Sequence, residues 1–301
     1  MANSIALAKQ YVSLLDETYK LASLTADLDG AADLARQGAN ANELIIPIMT
    51  MQGLGDYNRN SGYVDGDVTL TNETVACNFD RGRMFTVDTM DNMESAGIAF
   101  GRLAGEFIRT KVVPELDAFR FAQYASADGI SKATAATLST GDAVIKALRA
   151  ATTQMDEDEV PMENRYLYIT PTLHGLIQDM DTTKSREVLA RFAKVVDVPQ
   201  TRFYTAIIQK TGKVTVTRDS GHETTDDQSA GGYVKADAAK EINFMVIHKP
   251  AVIQFEKHIA PKIISPEQNQ DADAYKFGYR NVGIAKTYKN KVAGIYLHTK
   301  A

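Results

Sequence analysis

Apolar and polar positions change their period several times along this chain, and each change predicts a new element. Over residues 4–28, Ile5, Ala8, Val12, Leu15, Tyr19 and Ala22 recur at helical spacing among lysines and acids. That pattern predicts an amphipathic helix, ended by Gly30. A small, polar linker covers 31–43. "ELIIPIMTM" (43–51) predicts a strand, "GLGDYNRNSGYVDG" (53–66) is turn chemistry, and "DVTLTNETVACNFDRGRMFTVD" (67–88) returns as one or two extended segments. The excursion exceeds forty residues, with few large apolar side chains on either face. A two-stranded ribbon of this kind is marginal in water. It is expected either to wrap on its own domain or to lie across a neighbouring subunit.

The strongest helical pattern is "SAGIAFGRLAGEFIRTKVVPELDAFRFAQYA" (95–125), in which Phe100, Leu103, Ala104, Phe107, Ile108, Val112, Leu116, Phe119 and Ala122 keep one face. At 1.5 Å per residue it would run roughly 45 Å. Pro114 removes a backbone donor and is expected to bend it. Arg102, Glu106, Arg109 and Lys111 fall on the other face as solvated or interface charges. Asp91 and Glu94 are placed to cap the helix start, with Asp88 just before them.

Beyond a small, polar stretch (126–139), the period alternates. A helix capped by Thr140 opens "TGDAVIKALRAATTQMDEDEV". "RYLYITP" (165–171) predicts a strand, and "PTLHGLIQDM" a helix with Pro171 in its first turn. A further helix is expected at about 182–195, and strands at 201–209 and 241–249, with a polar, loop-like stretch between them. Strands at 251–266, 274–288 and 291–299 close the chain. Runs of strands and helices in this order predict an α+β fold.

Composition narrows the functions. The 301 residues are 44% hydrophobic and 24% charged, an ordinary globular balance. The net charge of −5 disfavours a dedicated nucleic-acid binder, which neutralises phosphates with basic residues. The single cysteine, Cys77, permits no internal disulfide and reads as a small buried residue. No apolar run approaches the ~18 residues of a membrane span, and Lys9, Gln10, Asp16, Glu17 and Lys20 interrupt any leader-like core, so a cytoplasmically made, soluble product is expected.

Motifs for catalysis are sparse. "QGLGDY" has two glycines but lacks the lysine and the following helix of a phosphate-binding loop. The five histidines, His174, His222, His248, His258 and His298, show no metal-ligand spacing. "DADAYKFGYR" (271–280) starts like a calcium loop but has Lys276 where the sharp turn needs glycine. There is no Gly-x-Ser-x-Gly elbow. No cofactor or metal is expected.

One stretch is dense in recognition chemistry: "NFDRGRMFTVDTMD" (78–91). On an extended strand Phe79, Arg81, Arg83, Phe85 and Val87 share one face, and Asp80, Gly82, Met84, Thr86 and Asp88 the other. Arginine flanked by aromatics is typical of protein–protein contact; a solvated strand edge is the plainer alternative.

The order of the parts resembles the major capsid proteins of tailed bacteriophages, whose shell fold is shared with encapsulins and the herpesvirus capsid floor. The likeness spans nearly the whole chain and is carried most by "FDRG-x-x-F-x-x-D-x-x-D", by "GRLAGEFIRTKVVPELDAFRFA" and by "YLYITPTLHGLI" and "FGYRNVGIA". It implies an N-terminal arm (1–43), an extended loop (44–85), a peripheral domain with a spine helix (86–129 and 251–290) and an axial domain (130–250 and 291–301). It further implies hexamers and pentamers closing into an icosahedral shell around double-stranded DNA, held without sequence-specific binding, in the virion. Separate scaffolding, portal and decoration proteins are possible partners, since the arm before Glu43 is too short for a scaffolding extension. The interface residues expected on this reading are Phe79, Asp80, Arg81, Arg83, Phe85 and Asp88, the loop residues Tyr57, Arg59 and Tyr63, and the helix charges Arg102, Glu106 and Arg109. Replacing Arg81 and Arg83 by alanine is then expected to abolish shells from a folded subunit. The alternatives are a nanocompartment shell of the same fold, or a soluble enzyme or ligand-binding protein using His174 and Asp179.

Overall fold

The computed structural model describes residues 23–30, 36–37, 43–60, 62–90, 98–180, 182–219 and 222–301. The expected helix of residues 4–22 and the caps at Asp91 and Glu94 lie outside the described residues. The remainder of that first pattern, 23–28, is a turn followed by a 3-10 turn (Ala26–Leu28).

A short strand β1 (Arg36–Gln37) precedes β2 (Glu43–Met51), β3 (Val68–Ala76) and β4 (Phe79–Asp88). β1, β2 and β3 form one antiparallel sheet, in which β2 and β3 pair in register from Glu43↔Ala76 out to Met51↔Val68. The expected return segment is therefore two strands. Asn78 makes the break between them: its side-chain amide donates to the Ala285 carbonyl at 2.8 Å and its oxygen accepts the Ala285 N–H at 3.1 Å. β4 consequently leaves the hairpin and pairs along its whole length with a later strand.

The spine follows as α1 (Ile98–Phe107), a π-helical turn (Ile108–Val112) and α2 (Val113–Ala125). Pro114 has no N–H to give the carbonyl one turn back, and the preceding residue, Val113, reaches back five residues to the Ile108 carbonyl. The expected bend thus takes the form of an inserted π turn. α2 is buried on nearly every side, including the charged Asp117 and Arg120.

The rest of the chain runs β5 (Ser131–Lys132), α3 (Gly141–Glu157), β6 (Arg165–Ile169), α4 (Pro171–Met180), α5 (Thr183–Leu189), β7 (Lys194–Asp197), β8 (Ile207–Gln209), β9 (Val214–Asp219), β10 (His222–Asp227), β11 (Tyr233–Lys235), β12 (Ile242–His248), β13 (Val252–Ile264), β14 (Ala274–Thr287) and β15 (Ile295–Thr299). Thr140 caps α3 by accepting the Ala143 N–H, as its position suggested. Several expectations fail. The strand expected over 201–209 is a 3-10 turn (Gln200–Arg202) and a strand only from Ile207, and the strand expected over 291–299 begins at Ile295 after a 3-10 stretch (Lys289–Gly294). The helix expected to 195 stops at Leu189 and gives way to β7, because Lys194–Asp197 extends the sheet beside β6. The polar stretch after Gln209, read as loop, holds the β9–β10 hairpin and β11. There, threonines and valines pair across the ribbon although no apolar face marks it.

Two sheets flank the spine. The order β5-β15-β12-β6-β7 makes a five-stranded mixed sheet with every residue of β12 buried. The order β13-β14-β4 makes a three-stranded antiparallel sheet. Phe121 of α2 packs edge-on to Tyr168 (5.1 Å between ring centroids) and Phe203 (4.9 Å), on the five-stranded side. Phe119 meets Phe79 at 5.0 Å, and Phe107 meets Phe85 at 4.8 Å, on the three-stranded side. One core thus surrounds the helix. A second fills the far face of the five-stranded sheet, beneath α3, α4 and α5. Among the described residues no helix is long and apolar enough to cross a membrane.

Candidate subunit interface

The β2–β3 hairpin is rooted by a small apolar cluster of Ile46, Val75, Ile253 and Ile284. Glu73 reinforces the root, 3.1 Å from Lys286 and 3.0 Å from Lys289. Burial pushes the Glu73 carboxyl up, but the hydrogen bonds from Lys289 and Lys286 outweigh it and hold the group below its usual range. A depressed carboxylate favours the folded state above its unfolded pKa, and that contribution fades as pH falls through the folded value. We expect amide exchange in β3 to quicken relative to β12 below about pH 4, the ordinary glutamate range. An equal response of both strands would contradict the clamp.

Beyond the root, the ribbon has one apolar face and one polar face. The cross-strand pairs Met49↔Leu70 and Met51↔Val68 point the same way, since opposed residues and alternate residues share a face. These four side chains are 54%, 62%, 68% and 64% exposed, in the order Met49, Leu70, Met51, Val68. Thr50, Thr69 and Thr71 occupy the reverse. The tip adds Leu54, Tyr57, Tyr63 and Val64, all exposed, and the two tyrosines meet edge-on at 4.9 Å. Arg59 is exposed beside them. Among the described residues nothing covers this apolar surface, and exposed apolar patches mark contact surfaces.

The face chosen from the sequence on β4 behaves differently. Phe79 is 3% exposed and belongs to the core. Phe85 is half-buried against Phe107. Arg81 donates Nε to Glu115 at 2.7 Å and its terminal nitrogen to the Lys210 and Gly232 carbonyls at 2.8 and 3.3 Å. Arg83 donates to the Ala230 and Ser229 carbonyls at 3.2 and 2.9 Å. These four residues thus already have partners within their own subunit. β4 pairs with β14 from Asp88 to Phe79, and that pairing turns its odd-numbered side onto the spine and the segment 210–232 of the same subunit. The arginines cross a cleft of about 860 Å³ between β4, the spine and that segment.

This changes what removing Arg81 should do. Its partner Glu115 is only 12% exposed, and two carbonyls would lose a donor. Arg81→Ala is expected to lower subunit stability by roughly 2 kcal/mol, the scale of a lost charged hydrogen bond. Denaturant unfolding of the free subunit checks this, and an unchanged midpoint would contradict it. Arg83→Ala, whose bonds lie at the exposed edge, is expected to cost less.

The even-numbered residues of β4 stay outside. Asp80 holds Arg280 through two bonds of 2.9 and 2.6 Å, and that guanidinium keeps its carboxyl below the usual range. Asp88 accepts the Met90 N–H at 2.8 Å, so it shapes the strand end. Glu106 pairs with Arg109 at 2.5 Å on the exposed helix surface. The side chain of Arg102 lies outside the described residues. At the enzymatic alternative, His174 Nδ1 sits 2.7 Å from Asp197, not Asp179, which is exposed. Among the described residues no three His, Cys, Asp or Glu side chains converge as a metal site.

Sequence reasoning missed a different site. Asp117 and Arg120 are buried within α2 and gather residues 23–30 around them. The usable signal was that 112–122 is apolar on several sides at once, which forces any charge inside it to be buried and paired.

No family model and no curated protein matches the sequence. Solved structures do. The structure from Mycobacterium phage Che8 is 14% identical over 92% of this chain and 90% of that one, with a TM-score of 0.58. The capsid structure of the cyanophage P-SCSP1u is 13% identical over 88% and 85%, with a TM-score of 0.54. The virus-like particle from Pyrococcus furiosus is 11% identical over 95% and 96%, with a TM-score of 0.57. The fold is that of phage major capsid proteins. The likeness runs along most of the chain.

Proposed function

We propose that this chain is the structural subunit of an icosahedral shell, assembling through copies of itself into hexamers and pentamers around the double-stranded DNA of a tailed phage. The observation that carries the reading is the apolar face of the hairpin: Met49, Met51, Val68 and Leu70, with the tip beyond, are each more than half exposed among the described residues. Because every subunit presents the same ribbon, a second copy is the natural partner in a closed ring. The hairpin is then the extended loop (43–76). The three-stranded sheet and the spine form the peripheral domain, and the five-stranded sheet with its helices forms the axial domain. A net charge of −5 suits a wall that encloses DNA without gripping it. The role is structural, not enzymatic, in the virion, after synthesis in the host cytoplasm. Scaffolding, portal or decoration proteins are partners the shell would accept.

Sedimentation and negative-stain microscopy of the purified full chain test this. Rings or closed shells are expected as concentration rises, with the hairpin tip becoming protected from amide exchange. A chain that stays monomeric to near-millimolar concentration, with its tip unprotected, would overturn the reading. Shells that enclose protein cargo in place of nucleic acid would turn it towards a compartment.

A further inference from the structure

Residues 23–30 are held by an unusually complete set of polar contacts. Asp117 is fully buried, and both carboxylate oxygens are shared out. Oδ1 accepts from the Ser23 hydroxyl (2.9 Å) and the Thr25 hydroxyl (2.8 Å); Oδ2 accepts from the Leu24 N–H (3.2 Å) and Arg202 (3.3 Å). Those four bonds use the four lone-pair positions of a carboxylate. Arg120, 2% exposed, donates to the Thr25 hydroxyl at 2.8 Å and pairs with Glu256 at 2.7 Å. Gln254 donates to the Thr25 carbonyl and to Asp29, each at 2.6 Å, and its backbone carbonyl accepts the Gly30 N–H at 3.0 Å. Leu28 drives into the core, 1% exposed. Lys194 pairs with Asp27.

The partners come from both sides of the spine. Asp117 and Arg120 belong to α2, and Gln254 and Glu256 to β13 of the three-stranded sheet. Lys194 lies in β7 of the five-stranded sheet, and Arg202 in the 3-10 turn (Gln200–Arg202) just beyond it. A segment bound to only one side would need neither lysine nor arginine from the other. Charges buried this way add little net stability over apolar packing, but they admit one geometry, because each unmade bond leaves a desolvated charge.

We propose that residues 23–30 are a strap that locks the two sheets at a fixed angle across the spine, with Asp117 as the group that joins both sides. In a shell, which rests on the reading above, the angle within each subunit sets the angle between neighbours. A loosened strap would therefore broaden the range of curvatures the subunit adopts.

Amide exchange on the free subunit tests the lock without requiring a shell. In Asp117→Asn, the amide NH2 stands in for one carboxylate oxygen and offers hydrogens either to the two hydroxyls or to the Leu24 N–H and Arg202, where donors already stand. Exchange in peptides covering 24–30 and 200–203 is expected to rise at least tenfold, with β12 unchanged. Arg202→Met removes only the five-stranded side's hold on Asp117 and is expected to speed 24–30 as well, which a merely local anchor on α2 would not show. Thr25→Val serves if Asp117→Asn fails to fold. No acceleration at 24–30, or equal acceleration in β12, would overturn the lock. In assembled material, Arg202→Met shells are expected to spread in diameter relative to the wild type, and an unchanged diameter would overturn the link to curvature. If the wild type makes no shells, it is the assembly reading that fails, and the exchange result on the lock still stands.

Discussion

Replacing residues 53–66 by an Asn-Gly turn is expected, on the shell reading, to leave a subunit that folds normally but no longer closes into shells. The strands on either side end at Met51 and Val68, directly opposite one another, so a two-residue turn can rejoin them. The removed residues contribute nothing to the cores: Leu54 is fully exposed, and Tyr57, Tyr63 and Val64 are exposed with it. The melting temperature is therefore expected to move by no more than about 2 °C, because surface changes away from packed features usually fall within ~0.5 kcal/mol. Loss of particles with an unchanged melt would place the tip in contact between subunits. A large drop in the melt of the monomer, or a normal yield of shells, would contradict the role given to it.

Phe121→Ala is expected to have the opposite signature, a large loss of subunit stability wherever assembly stands. Phe121 is fully buried, and its ring bridges Tyr168 of the five-stranded sheet and Phe203 beyond β7. Truncating it removes the contacts that seat the spine on that sheet and leaves a cavity among side chains that are themselves fixed on strands. The expected cost is about 3–5 kcal/mol, against a total domain stability on the order of 10 kcal/mol. For a chain of this size that corresponds to a fall of roughly 10 °C in melting temperature. Phe121→Leu, which keeps most of the volume, is expected to cost well under half as much. A thermal melt of the two variants side by side checks this, and equal, small losses would mean that the spine is seated by other residues.

The two results together separate the parts of the molecule that hold a subunit together from the part left over for its neighbours. The arginines of β4 show why the separation is difficult to make from sequence. Arg81 and Arg83 stand among aromatics in a pattern that is common to interfaces and to packed strand faces alike. What turns them onto their own subunit is the pairing of β4 with β14, nearly two hundred residues later in the chain.

Local pattern carried a good deal. Helical spacing over 98–125, the position of Pro114, the Thr140 cap, the apolar run of β12 and the Gly- and Asn-rich turn of 53–66 each rest on short-range physics, and the structure has an element at each. The same holds for the unsupported ribbon. Its length and its few large apolar side chains on either face are legible in the sequence, and they called for support, from its own domain or from a neighbour. Distance was the missing information elsewhere. Whether β4 faces a neighbour or its own spine, whether 210–232 is loop or ribbon, and why Asp117 and Arg120 tolerate burial all depend on what the chain brings alongside from far away. Burial and pairing are properties of a place in three dimensions, and a carboxylate reads the same in sequence whether water or four donors surround it.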